Sequence, residues 1–218
     1  MRFSDQLGRA AADLWAEQHR HPFIRRLADG TLDPERFRFY VRQDYLFLIE
    51  YGRLLALACA RAPRLELTQR FAELAHLTLH TEMDLHRSYA ADWEISRAEL
   101  EAERPQAVTR AYSDFLLRTA TLGDFGELVA ALLPCMWGYS QLGQRLAQGT
   151  PPSDERYARW IEMYSGEEFA KLSEWCREIC DATAAEAGPD VHAKMRAAFL
   201  TSSRYELDFW EQAWRHVP

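Results

Sequence analysis

The sequence predicts an all-α fold, a single-domain helical bundle over residues 1–218. Three observations carry that expectation. Apolar residues recur at helical spacing along almost the whole chain, glycines and prolines cluster at boundaries, and β-branched runs are few. With 218 residues, 48% of them hydrophobic, the chain can bury a large core.

Ser4 reads as the cap of a first helix that runs to about Arg20, after which His21-Pro22 turns the chain. Asp33-Pro34-Glu35 sets a capping carboxylate before a proline at the first helical position. It opens a long helix through Asp44 and Tyr51 to about Arg61, which Ala62-Pro63 ends. Another helix is expected over residues 65–90. Ser96-Arg97-Ala98-Glu99 fits a capping box at the head of an acidic connection reaching Pro105. Helices then follow over residues 105–121, 124–148, 154–187 and 189–215, with breaks near Gly123, at Gly149-Thr150-Pro151-Pro152 and at Gly188-Pro189. The last two are long, and Ser165-Gly166 and Thr201-Ser202-Ser203 are read as kinks within them. Without a linker or a repeat, seven or so helices with short connections imply one bundle.

The net charge of −7 and the lack of a basic stripe argue against nucleic-acid binding as the main task. No apolar run reaches the roughly 18 residues of a membrane span. Met1-Arg2-Phe3-Ser4-Asp5-Gln6 lacks the apolar core of a secretory signal, so a cytoplasmic location is expected. None of the four cysteines has a CxxC or zinc-finger spacing, and Cys176 and Cys180, four residues apart, read as free thiols.

Candidate chemistry sits in five segments. Cys135 lies in Leu132-Leu133-Pro134-Cys135-Met136-Trp137-Gly138-Tyr139. Taken alone it is more readily a small core hydrophobe than a site. Yet a proline inside a helix removes a backbone hydrogen bond at a cost of about 3 kcal/mol, and a phenol follows one turn after the thiol. Asp44, Phe47 and Tyr51 share one stripe of the long helix, where the aspartate is either a solvated rim residue or a buried carboxylate that needs donors. Tyr112 and Tyr164, in their own helices, read in isolation as core tyrosines. Glu206 precedes Phe209 and Trp210 by one turn. It is either a surface residue of an amphipathic last helix or a carboxyl held against aromatic rings, where lost solvation raises a pKa and favours an acid role.

Together these segments resemble the TenA/THI-4 family, also called thiaminase II or aminopyrimidine aminohydrolase. The resemblance covers essentially the whole chain through His21-Pro22-Phe23, Gln43-Asp44-Tyr45, Pro134-Cys135-Met136-Trp137-Gly138-Tyr139, Tyr164-Ser165-Gly166-Glu167-Glu168-Phe169 and Tyr205-Glu206-Leu207-Asp208-Phe209-Trp210. It implies a haem-oxygenase-like fold without haem, a homotetramer, and a role in thiamin pyrimidine salvage. The implied reaction replaces a leaving group on the methylene at pyrimidine position 5, ammonia from the aminomethyl pyrimidine or the thiazolium from thiamin. Its product is the hydroxymethyl pyrimidine.

Cys135 matches the nucleophile of the cysteine-containing branch, Glu206 the C-terminal glutamate and Asp44 the substrate-binding aspartate. Phe47, Tyr112, Tyr139 and Tyr164 match aromatic pocket positions. The implied route adds the thiolate to ring carbon C6 while Glu206 protonates N1. Asp44 accepts from the exocyclic amine, Tyr139 favours the thiolate, and Phe47, Tyr112 and Tyr164 sandwich the heterocycle at about 0.5–1.5 kcal/mol per stacked pair. No metal and no organic cofactor are called for.

Two rivals stand beside it. One is a di-iron oxygenase on the same kind of bundle, suggested by Glu73-x-x-His76 and the nearby His80 and His86, although no second Glu-x-x-His is present. The other is a non-catalytic pyrimidine-binding regulator, which would need neither a nucleophile nor an acid.

Overall fold

The structure, a computed structural model, describes residues 1–216 and contains no strand among them. The elements are α1 (Phe3–Ala10), α2 (Ala12–Arg20), α3 (Pro22–Ala28), α4 (Pro34–Arg61), α5 (Leu65–Leu77), α6 (Met83–Asp92) and α7 (Arg97–Ala102). They continue with α8 (Ala107–Leu122), α9 (Phe125–Leu133), α10 (Tyr139–Leu146), α11 (Glu155–Ser165), α12 (Glu167–Ala185) and α13 (Pro189–Arg215). A π-helical turn, Thr78–Glu82, joins α5 to α6, and a second, Pro134–Gly138, joins α9 to α10.

Local chemistry sets several of the starts. The Asp33 carboxylate accepts from the Glu35 N–H at 3.0 Å, with Pro34 at the first helical position of α4. At α7 the capping box is complete: Ser96 Oγ accepts from the Glu99 N–H, and Glu99 accepts from the Ser96 N–H at 2.8 Å. Ser4 departs from expectation. It lies inside α1, and its N–H and hydroxyl both donate to Asp181 of α12, at 2.6 and 3.0 Å. A tertiary tie thus takes the place of a local cap.

The expected stretch over 4–20 breaks at Ala11, and that over 65–90 is interrupted by the first π-turn. The chain does break at Gly166, between α11 and α12. It does not break at Thr201-Ser202-Ser203, because α13 runs through it. The Ser202 and Ser203 hydroxyls bond to other helices, so they do not compete with their own backbone. Ser202 Oγ donates to the Ala131 carbonyl at 2.7 Å, and Ser203 Oγ accepts from the Trp15 indole at 3.3 Å.

The helices gather into two compact units, Met1–Leu32 with Gly126–Arg215, and Asp33–Phe125 with His216. In the first, α13 packs on α2, α3 and the second π-turn, α12 packs on α1 and the same turn, and α10 lies along α11. Trp160, Trp210, Tyr157, Tyr164 and Phe23 are fully buried there. In the second, α4 is the axis, with α5, α6, α8 and the first π-turn around it. Its largest buried side chains include Tyr40, Tyr45, Tyr51, Tyr89, Tyr112, Phe37 and Phe71. Among the described residues no helix is long and apolar enough to cross a membrane.

Candidate active site

The kink expected at Pro134 is a π-turn, and Cys135 is its second residue. Such turns carry one extra residue per turn and recur at functional sites. Proline supplies no N–H to the preceding turn, and the carbonyl of Ala131 there accepts from Ser202 Oγ. Trp137 anchors the other side. Its ring meets Trp15 edge-on at 4.6 Å and lies 4.3 Å beneath the Arg177 guanidinium. Gly8 of α1 admits it, since a Cβ there would come within 2.6 Å of the indole. Cys135 is therefore a buried thiol on a backbone held from both sides.

The Ser202 bond fastens α13 to this region, and Glu206 lies one turn farther along the same face of α13. Glu206 is only 4% exposed, with Phe209 and Trp210 buried beside it in sequence. The surface-carboxylate reading is thereby excluded. Tyr139 opens α10, packs edge-on against Tyr164 at 4.9 Å, and meets the tilted ring of Trp210 at 5.4 Å. Tyr164 also meets Trp160 at 4.6 Å and Phe169 at 5.2 Å. That contact between α10 and α11 depends on Gly143, whose backbone lies against that of Tyr164. Cys135, Glu206, Tyr139 and Tyr164 thus belong to mutually packed elements of the first unit.

Cys176 and Cys180 are buried thiols of α12, and Cys180 is pushed up to about 12 by burial, with the Asp181 charge adding to it. None of the four cysteines forms a disulfide.

The second unit carries Asp44, Phe47 and Tyr112. Asp44 is buried at 3% exposure and has donors. Oδ2 accepts from the Tyr40 hydroxyl at 2.9 Å and faces His86 Nε2 at 2.7 Å. The other ring nitrogen of His86, Nδ1, lies 2.9 Å from the Glu82 carbonyl, at the end of the first π-turn. Burial works to lower the pKa of His86. The hydrogen bond and charge of Asp44, helped by Glu82, outweigh it and hold the imidazole above its usual value.

Neighbours of Asp44 in the Gln43-Asp44-Tyr45 motif have separate work. Gln43 Oε1 accepts from the Gln106 N–H and the Thr109 hydroxyl, both at 2.8 Å, which pins the start of the Tyr112 helix to α4. Tyr45 donates to Glu101 at 3.4 Å. Phe47 stacks directly on Tyr112, with centroids 4.8 Å apart and planes at 29°, and on Tyr51 at 5.7 Å. Phe47 and Tyr112 therefore form one wall. A heterocycle between them would need roughly twice the ~3.5–4 Å of van der Waals contact, so they are not opposite faces of a sandwich.

Sequence reasoning passed over Tyr40 and Gly143, read Ser202 only as part of a kink, and treated His86 only as part of a ligand-rich run. Tyr40 alone carried a usable signal, four residues before Asp44 on one helical face. The di-iron pattern fails locally, because Glu73 and His76 both lie exposed on α5 where inward-facing ligands are required. Among the described residues no three His, Cys, Asp or Glu gather as a metal ion would need.

The helical arrangement is that of haem-oxygenase-like proteins. A domain described as having a heme oxygenase-like fold, from Shewanella denitrificans, superposes over 97% of this chain and 91% of its own with a TM-score of 0.74, at 16% identity. Within that class the chain belongs to the TENA/THI-4/PQQC family, whose model matches residues 9–216. A TenA homologue from P. horikoshii superposes with a TM-score of 0.91 at 31% identity, covering 99% of both chains. Proteins named aminopyrimidine aminohydrolase are similar along nearly their full length. The one from Halalkalibacterium halodurans is 39% identical over 98% of this chain and 96% of its own. The one from Bacillus subtilis is 37% identical over 99% and 91%.

Proposed function

We propose that this chain is a thiamin-pyrimidine salvage hydrolase that cleaves a C–N bond. Its substrate in this reading is 4-amino-5-aminomethyl-2-methylpyrimidine, with thiamin slower, and its product the 5-hydroxymethyl pyrimidine. One observation carries the reading: a buried thiol on a π-turn, packed against the helix of a buried glutamate, in a chain so similar to two named aminopyrimidine aminohydrolases.

In this mechanism the Cys135 thiolate adds to C6 of the pyrimidine and Glu206 delivers a proton to N1. The ring then holds an enamine from the exocyclic nitrogen through C4 to C5. Its electron pair expels the substituent from the methylene carbon, as ammonia when that group is the protonated amine. The positive charge left on the exocyclic nitrogen and C4 is stabilised by Asp44, which accepts the amine's hydrogen bond. Water adds to the methylene carbon and gives up a proton. Loss of the thiolate from C6 and of the proton from N1 restores the aromatic ring. Tyr139 donates to the thiolate, and Phe47, Tyr112 and Tyr164 supply apolar walls.

The reading treats residues 1–218 as one domain. The family match runs through both units, which supports this. It also takes the assembly to be a homotetramer, to be checked by light scattering, in the cytoplasm, where unpaired thiols persist.

The test is product formation from the aminomethyl pyrimidine and from thiamin, followed by chromatography. Cys135→Ala and Cys135→Ser should both lose turnover while still binding product, because a hydroxyl is a poor nucleophile at neutral pH. A second reading has one observation behind it. A structure described as a TenA family transcription regulator, from Silicibacter, superposes with a TM-score of 0.91 at 27% identity over 99% of this chain. Pyrimidine binding without turnover by the reduced wild-type protein would favour that reading.

A further inference from the structure

We propose that His86 is a positioning residue for substrate recognition: held as an imidazolium between Asp44 and the Glu82 carbonyl, it fixes the Asp44 carboxylate through Oδ2 and leaves Oδ1 to accept from the substrate amine. The proposal rests on the reading of Asp44 given above. It starts from donor and acceptor chemistry. A carbonyl cannot donate, so His86 Nδ1, 2.9 Å from the Glu82 oxygen, must carry a proton. The second nitrogen faces Asp44 Oδ2 at 2.7 Å, and the Tyr40 hydroxyl donates to the same oxygen at 2.9 Å. An ionised carboxylate oxygen accepts both bonds readily. With Nδ1 carrying a hydrogen toward the Glu82 carbonyl and Oδ2 accepting from both Tyr40 and Nε2, hydrogens sit on both ring nitrogens, an arrangement that the charge of Asp44 favours over a proton on Oδ2.

The setting strengthens that assignment. His86 is fully buried, and its ring meets Tyr89 of its own helix edge-on at 6.1 Å. The groups acting on it from neighbouring elements are Asp44, with Tyr40 behind it, from α4, and Glu82 from the first π-turn. On α7 the charges are engaged elsewhere: Glu99 with Ser96, and Arg97 with Glu101. The raised pKa of His86 agrees with the geometry.

The consequence is selectivity. A carboxylate that cannot donate prefers a 4-amino pyrimidine, whose N–H it accepts, over a 4-oxo analogue, whose oxygen it repels. A protonated Asp44 would lose that preference. His86 touches no substrate in this account and acts only through Asp44.

Two measurements test the proposal. Ring nitrogen-15 NMR of the ligand-free wild-type protein should find His86 doubly protonated at pH 8, where an ordinary histidine of pKa about 6.5 is neutral. A neutral ring there overturns the proposal, and this measurement needs no turnover. The second is His86→Gln, which keeps a donor toward Asp44 but removes the charge. The acid limb of its kcat/KM profile should move up by about one pH unit or more, the effect of losing an opposite charge beside a carboxylate. Activity should recover toward wild type as pH rises, with the loss carried more by KM than by kcat. An unshifted profile with uniformly lower activity would mark a merely structural role and refute the inference. Failure of the wild-type protein to turn over either substrate would instead count against the hydrolase reading, and the NMR result would still decide the state of His86.

Discussion

Gly143→Ala should loosen the contact that holds Tyr164 against Tyr139, and its size follows from the structure. A Cβ at Gly143 would lie 2.4 Å from the Tyr164 carbonyl carbon, 2.6 Å from its oxygen and 2.7 Å from the Ser165 nitrogen. All three are backbone atoms, so no rotamer change relieves the clash. Ordinary contact begins at 3.4 Å, so α11 must retreat from α10 by about 1 Å. Overpacking of this kind costs about 1–3 kcal/mol, and alanine in a helix interior returns at most about 1 kcal/mol. A net loss of about 1–2 kcal/mol lowers Tm by about 2–8 °C in a domain of this length. Moving Tyr164 by 1 Å should also reduce kcat/KM by up to about 100-fold. Gly138→Ala is the control, because nothing lies within 4 Å of a Cβ there, though it sits in the Cys135 turn. It should keep or slightly raise Tm. Calorimetry and steady-state kinetics on both variants decide the matter. A Gly143→Ala protein that melts at or above wild type would refute the close-approach account.

Glu206→Gln keeps the side chain's size and removes the transferable proton. It should lower kcat by roughly 100- to 10,000-fold, the usual worth of a general acid, with little change in product affinity by titration calorimetry. Equal kcat values would remove Glu206 from the chemistry. His86 has a raised pKa in the folded protein, so its stabilising contribution is full below the unfolded value of about 6.5 and is lost as pH rises through the folded pKa. The difference in unfolding free energy between wild type and His86→Gln, from denaturant titrations, should therefore shrink toward alkaline pH. A difference that grows with pH would contradict the assigned charge state.

Helix class, most boundaries and the caps at Asp33 and Ser96 were legible in the sequence because each depends on neighbours a few residues away. So was the oddity at Pro134, although its form was not: a proline announces a lost hydrogen bond, whereas a π-turn depends on what holds the widened backbone, here Trp137 and Ser202. The burial of Glu206 and Asp44 lay beyond the sequence. Each stood between a solvated and a buried reading, and only the packing of α13 on the Cys135 turn, and of α6 on α4, chose between them. Ser4, Ser202 and Ser203 misled for the same reason, since their hydroxyls bond to partners far away in the chain. His86 shows the limit most clearly. In sequence it is one histidine in a run of possible metal ligands. Its partner Asp44 is 42 residues away, and only the folded helices put the two 2.7 Å apart. Local patterns determine which segments are helical and which faces are apolar. Which polar groups lose water, and what they face once they have, is set by contacts distant in sequence, and so by the tertiary structure alone.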